Sequence, residues 1–207
     1  YLGCVVFGSS IQIDVRRVVE NIRAVLMSTR RVYQMQFINS GLPLTEKTVG
    51  FLPAHALSRI SANFPNWNSS GLKFNNVSDR PRNPHNKANA FEREALAWFR
   101  ARPAEKNRLV EVNDQGTAYY HYTSPIWVEE YCLKCHGKRE NAPKPISESY
   151  DNSYDYKLDE LRGIVSIFMP TKELRQHYYS AWCFQFAIRL AGYLALLAAL
   201  GGLLNKY

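Results

Sequence analysis

Cysteine is scarce in this sequence, with four in 207 residues. Two stand together as Cys132 and Cys135; Cys4 and Cys183 lie in apolar stretches near the ends. That count and spacing exclude a disulfide framework, and an isolated cysteine in apolar sequence serves as a small apolar residue. A second C-x-x-C and a paired-histidine motif are both missing, which removes the usual four ligands of a structural zinc. Internal repeats are absent, and so is any nucleic-acid motif. The formal net charge of +8 is spread along the chain rather than gathered in a tail. Such a balance suits anionic lipid or an acidic partner; nucleic acid is not expected. No acid–base pair or second metal site stands out, so an enzyme is not expected either.

What is present begins with length. A chain of 207 residues holds one domain of ordinary size plus further segments. The stretch from Ala181 to Leu204 is apolar or small apart from Gln185 and Arg189, and a membrane-spanning helix needs roughly 20 such residues. Tyr178, Tyr179 and Trp182 form an aromatic belt at one end, and Lys206 closes the other. Arg189 lies close enough to the Trp182 end to snorkel. Residues 178–207 are therefore expected to be a transmembrane helix. Tyr1 is not an initiator methionine, and residues 1–10 are expected to be the end of a first transmembrane segment. Residues 11–177 then form the domain between them.

Within that domain, Val15, Val18, Ile22, Val25, Thr29 and Val32 recur at alternating spacings of three and four, and Val19, Leu26 and Tyr33 widen the stripe. The pattern predicts a helix over 11–39, ended by Asn39-Ser40-Gly41 and Pro43. A shorter helix follows Pro53. Residues 65–87 read as turn-rich, and another helix covers about 88–101. The periodicity then changes: 109–112 and 117–128 flank Asn113-Asp114-Gln115-Gly116, a β-hairpin signal. Residues 138–160 form a polar excursion, and 163–169 read as one more strand. Helices followed by adjacent strands predict an α+β domain with an antiparallel sheet.

Cys132-Leu133-Lys134-Cys135-His136 is the sharpest motif. C-x-x-C-H is the attachment pattern of c-type haem: two thiols add across the vinyl groups on one porphyrin edge, and the next residue offers an imidazole to the iron. One covalent haem c is therefore expected, with His136 as proximal ligand. Attachment of this kind happens outside the bacterial cytoplasmic membrane. The expected placement is thus a bacterial inner membrane with the haem domain in the periplasm and Lys206 on the cytoplasmic side. For the sixth iron position the candidates are His55, His121 and Met35. Arg80 and Arg82 precede Asn83-Pro84 in a rigid loop and match haem propionates in chemistry.

The chain also resembles the bacterial and cyanobacterial c-type haem domains with a PAS-like fold. The resemblance covers roughly 15–175. It rests on Phe51-Leu52-Pro53-Ala54-His55-Ala56, on Phe74-Asn75-Asn76-Val77-Ser78 with Arg82-Asn83-Pro84, and on Ser124-Pro125-Ile126-Trp127. It continues through Tyr131 to Gly137 and through Leu161-Arg162-Gly163-Ile164. It implies a helix-flanked, PAS-like antiparallel sheet carrying the haem, and it favours His55 as a ligand.

Such domains sit between membrane helices in signalling proteins or stand alone as cytochromes. Two function classes follow, a haem-based redox or gas sensor and a tethered electron carrier. The signalling pattern expects an output module beyond Tyr207; a free-standing cytochrome expects none. Expected partners are membrane lipid, a second copy or a larger membrane complex, and a redox partner or small gas ligand.

Overall fold

The structure, a computed structural model, describes residues 2–204; for residues 2–10, 173, 174, 177 and 202–204 it describes the helical backbone alone. Cys4, His177 and Lys206, and the apolar side chains expected at the end of a first membrane segment, lie outside the described side chains. Two compact units are present. One is Gln12–Pro170; the other joins Tyr1–Ile11 with Thr171–Tyr207.

The Gln12–Pro170 unit is an α+β fold around a four-stranded antiparallel sheet. In chain order the elements are α1 (Leu2–Tyr33), α2 (Pro53–Asn63), β1 (Lys73–Val77), α3 (Ala90–Ala101), β2 (Arg108–Asp114), β3 (Thr117–Trp127), α4 (Glu130–His136), α5 (Lys144–Ser147), β4 (Leu161–Pro170) and α6 (Thr171–Leu204). The strands lie in the order β1-β4-β3-β2.

The β2–β3 hairpin forms where the sequence places it. Its two-residue turn, Gln115-Gly116, has φ of 49° and 84°, the left-handed pair that matches strand twist in a tight hairpin. Strand β1 was not expected. Asn75 and Asn76 disguise it, because both are weak strand formers. It forms because β4 supplies a full antiparallel ladder from Lys73↔Phe168 to Val77↔Ile164.

Alternation along the strands sorts the two faces. His121, paired with Phe168, shares a face with Ser166, and Ser166 bonds Glu92 on α3. That face holds the core of Val77, Ala95, Leu96, Phe99, Leu161 and Ile164. Helix α3 starts with a capping box in which Asn89 and Glu92 satisfy each other's backbone N–H groups. The opposite face carries Tyr120, Tyr122 and Ser124, and Arg23 of α1 donates from Nε to Ser124 Oγ at 2.7 Å.

Helix α1 does not bury the whole stripe its sequence suggests. Val15, Val19 and Leu26 are buried, whereas Val18, Val25 and Val32 are 44–65% exposed. The buried row runs 15, 19, 26, 30, 34 and 37, close to the 3.6-residue period. Val18, Val25 and Val32 repeat every seven and lie on the neighbouring line. A π-helical turn, Gln34–Ile38, then closes the helix, and the N–H of Asn39 reaches Gln34 O.

In the other unit, Tyr178–Gly201 is long and apolar enough to cross a membrane, the one such helix among the described residues. Its large apolar side chains, including Phe184, Leu190, Leu194 and Leu197, point outward.

Candidate haem cleft

On the α1 side of the sheet, α1, α2, the sheet and the α4 turn enclose a cleft of about 880 Å³, part of it open to solvent. Asn76, Ile126 and Gly163 form its floor. Gly163 is required there: a Cβ would come within 2.4 Å of Val77 O. Leu52, Pro53, Ala54 and His55 form the α2 wall, and Tyr131, Cys132, Cys135 and His136 the opposite one.

Helix α4 is about two turns long, and Cys132 and Cys135, three apart, lie on one side of it. Both are free thiols, Cys132 buried and Cys135 half-buried. Burial pushes the Cys135 thiol up, against the pull of Arg82 and Lys134. The next residue, His136, donates from Nδ1 to Ser153 O at 2.8 Å. That bond leaves Nε2 with the lone pair, as in a metal-ligating histidine whose other nitrogen is pinned. Burial first, then Arg162 and Arg82, pull the imidazole pKa down to about 2, so the ring stands neutral. Arg162 Nη2 donates to Nε2 at 2.8 Å, the nitrogen that would be needed to hold an iron.

The segment that accepts from His136 is shaped for this. Ser153, Asp155 and Asp159 all have φ near 60°, which costs about 1–3 kcal/mol each for a residue with a side chain. Tertiary bonds hold the loop in place. Asp155 N–H donates to Gly137 O, and Tyr156 N–H donates to His136 O. Ser153 Oγ and Tyr156 Oη both donate to Arg80 O.

Of the residues singled out from sequence, Cys132, Cys135, His136, His55, Arg80 and Arg82 all line the cleft. His55 packs edge-on to Tyr150, 6.1 Å between ring centres. Burial, followed by Arg59, Arg82 and Arg162, lowers its pKa, which favours the neutral ring a metal needs. His121 and Met35 are not brought there. His121 is 1% exposed on the α3 face, stacked on Phe168 at 4.0 Å and bonded to Ser166 Oγ at 3.0 Å. Met35 is 46% exposed in the π-helical turn. As sixth ligands both are corrected by position.

Arg80 and Arg82 have other work. Arg80 pairs with Glu160 and lies over the Tyr156 ring. Arg82 donates from Nη2 to Cys135 O at 2.8 Å and Ser153 O at 3.1 Å, and from Nε to Asn152 O at 3.4 Å, and it lies over Tyr150 and Tyr154. It clamps the loop to the α4 turn. Among the described residues, the cleft cation with a buried nitrogen lacking a partner is Arg30. Arg30 had a faint sequence signal, a basic residue four after Leu26 on the buried row of α1. The sequence contained no sign that Ser153 O would orient His136.

The donor set fits a c-type haem: two free thiols on one turn, an oriented neutral imidazole beside them, a second imidazole across the cleft, and arginines on the walls. No carboxylate lines the cleft among the described residues, so its cationic walls are complementary to the two propionates of such a group. Residues 9–170 match the profile of the Tll0287-like family, described as Tll0287. The chain belongs to the Tll0287-like family. Among solved structures it is similar to one described as the crystal structure of the cyanobacterial heme-protein Tll0287, at 24% identity and a TM-score of 0.55. The match covers 76% of this chain and 94% of that one. At that identity the likeness is one of fold. No curated protein matches.

Proposed function

We propose that this member of the Tll0287-like family is a membrane-anchored c-type haem protein serving as a redox or gas sensor input domain. The observation that carries the reading is the α4 turn. It sets Cys132, Cys135 and His136 together at the cleft wall, with the His136 ring pinned at Nδ1. A haem held there would supply a redox-active iron. The chain's own part is to attach the group through two thioethers, orient His136, offer His55 from the other wall and balance the propionate charge. Attachment of this kind is made outside the bacterial cytoplasmic membrane, which supports a periplasmic domain, and the apolar helix Tyr178–Gly201 suits the anchor.

Acid acetone treatment tests the attachment. The expected result is haem retained, with one haem's mass added to the peptide containing Cys132 and Cys135. Haem that extracts freely, with no added mass, overturns it. Hydrogen exchange on oxidised and reduced protein in detergent tests sensing. Protection changes spreading along 11–39 and 163–180 support a sensor. Changes confined to the haem surroundings identify a tethered electron-transfer cytochrome instead, because low reorganisation suits electron transfer.

A further inference from the structure

Resting on the haem reading above, we propose that Arg30 is a buried anion anchor whose guanidinium donates to an anionic oxygen held in the cleft. Two sources share that chemistry: a propionate of the haem, and a small anion at the sixth iron position.

Arg30 is 5% exposed on α1, and its Nη1 is buried on the cleft wall with no hydrogen-bond partner among the described residues. Among the described residues, its side-chain hydrogen-bond partner is Tyr131. A buried guanidinium without a counter-charge is among the costliest features a fold can carry. Its surroundings make matters worse, because a charged neighbour is Arg162, of the same sign. The other wall arginines have partners: Arg80 has Glu160, and Arg82 has three backbone carbonyls. No aspartate or glutamate lines the cleft among the described residues.

The cleft therefore presents fixed positive charge aimed at something that brings its own negative charge. A planar guanidinium recognises an anionic oxygen through directed N–H bonds. Asn76, 6% exposed on the floor, also has an atom without a partner among the described residues, Oδ1. Turning its amide over would offer Nδ2 to the same anion.

The test uses the full chain in detergent with Arg30→Gln and, should that variant not accumulate, Arg30→Lys, which keeps the charge and loses the fork. Haem content is first measured on the wild type; a chain without attached haem defeats the haem reading itself. With haem attached, two signals are read. A shift of the propionate bending modes in resonance Raman assigns the anchor to the haem carboxylate. A fall of about tenfold or more in ferric azide affinity, measured with His55→Ala also present so that His55 does not compete, assigns it to an iron-bound anion. Propionate modes and azide affinity that both match those of wild type, in a variant that carries haem, overturn the proposal.

Discussion

His136 and Ser153 are joined across 17 residues by a 2.8 Å hydrogen bond from an imidazole Nδ1 to a backbone carbonyl. The acceptor belongs to a residue with φ of 63°. The orientation of the His136 ring therefore depends on a left-handed backbone position that the loop's other bonds hold in place, and substitutions there separate backbone from side-chain effects.

Ser153→Gly and Ser153→Pro both delete the hydroxyl that donates to Arg80 O. Glycine accepts a positive φ freely; proline fixes φ near −65° and turns the carbonyl away. Ser153→Gly is expected to keep wild-type haem content and absorption bands. Ser153→Pro is expected to lose haem content, broaden the bands, or both. Haem per chain by pyridine haemochrome, with the optical spectrum, distinguishes them; equal behaviour refutes the role of the carbonyl.

Arg82 is expected to matter for stability more than for propionate binding, since its donors are taken by Cys135 O, Ser153 O and Asn152 O. Arg82→Ala should destabilise the domain by about 2–3 kcal/mol, read as a lower urea midpoint. Arg82→Lys should recover only part of this, because an ammonium lacks the planar fork. A midpoint equal to wild type for Arg82→Ala would show that the clamp contributes nothing.

His55 shares the cleft with His136. His55→Ala is expected to keep haem attached, convert a low-spin spectrum to high-spin and admit carbon monoxide to the reduced iron. An unchanged low-spin spectrum would remove His55 from the iron.

His121 predicts acid sensitivity of the fold. Burial, followed by Arg108 and against Glu94, lowers its pKa from 6.5 to about 4. A depressed histidine pKa means the unfolded chain binds the proton first. The His121 contribution is therefore constant above pH 6.5, and stability is lost as pH falls from 6.5 to about 4, by roughly 3 kcal/mol in all. His121→Gln removes the titration. Comparing urea midpoints at pH 7.5 and 5 should show a smaller acid loss in the variant; an identical loss would assign the sensitivity elsewhere.

Much of the architecture is legible because local rules and tertiary packing agree. The Gln115-Gly116 turn demands positive φ, and Pro53 opens α2 at its first residue. Where they disagree, the sequence misleads. Strand β1 carries two asparagines, and only the β4 ladder draws it into the sheet. Val18, Val25 and Val32 belong to an apolar stripe by spacing, yet the packing surface is the neighbouring row.

The sequence by itself determined the C-x-x-C-H pattern at Cys132, Cys135 and His136, the α+β order of the elements and the apolar helix at the end, since each is encoded within a short window of spacing or composition. Tertiary structure alone decided which histidine shares the cleft with His136, which arginines are already committed and what holds the ring. Those answers depend on residues brought together across the chain: Arg30 with Tyr131, Arg82 with Ser153, His136 with Arg162. Sequence spacing carries no record of such contacts, because they exist only once the sheet has brought its helices and the loop around 153 to one cleft.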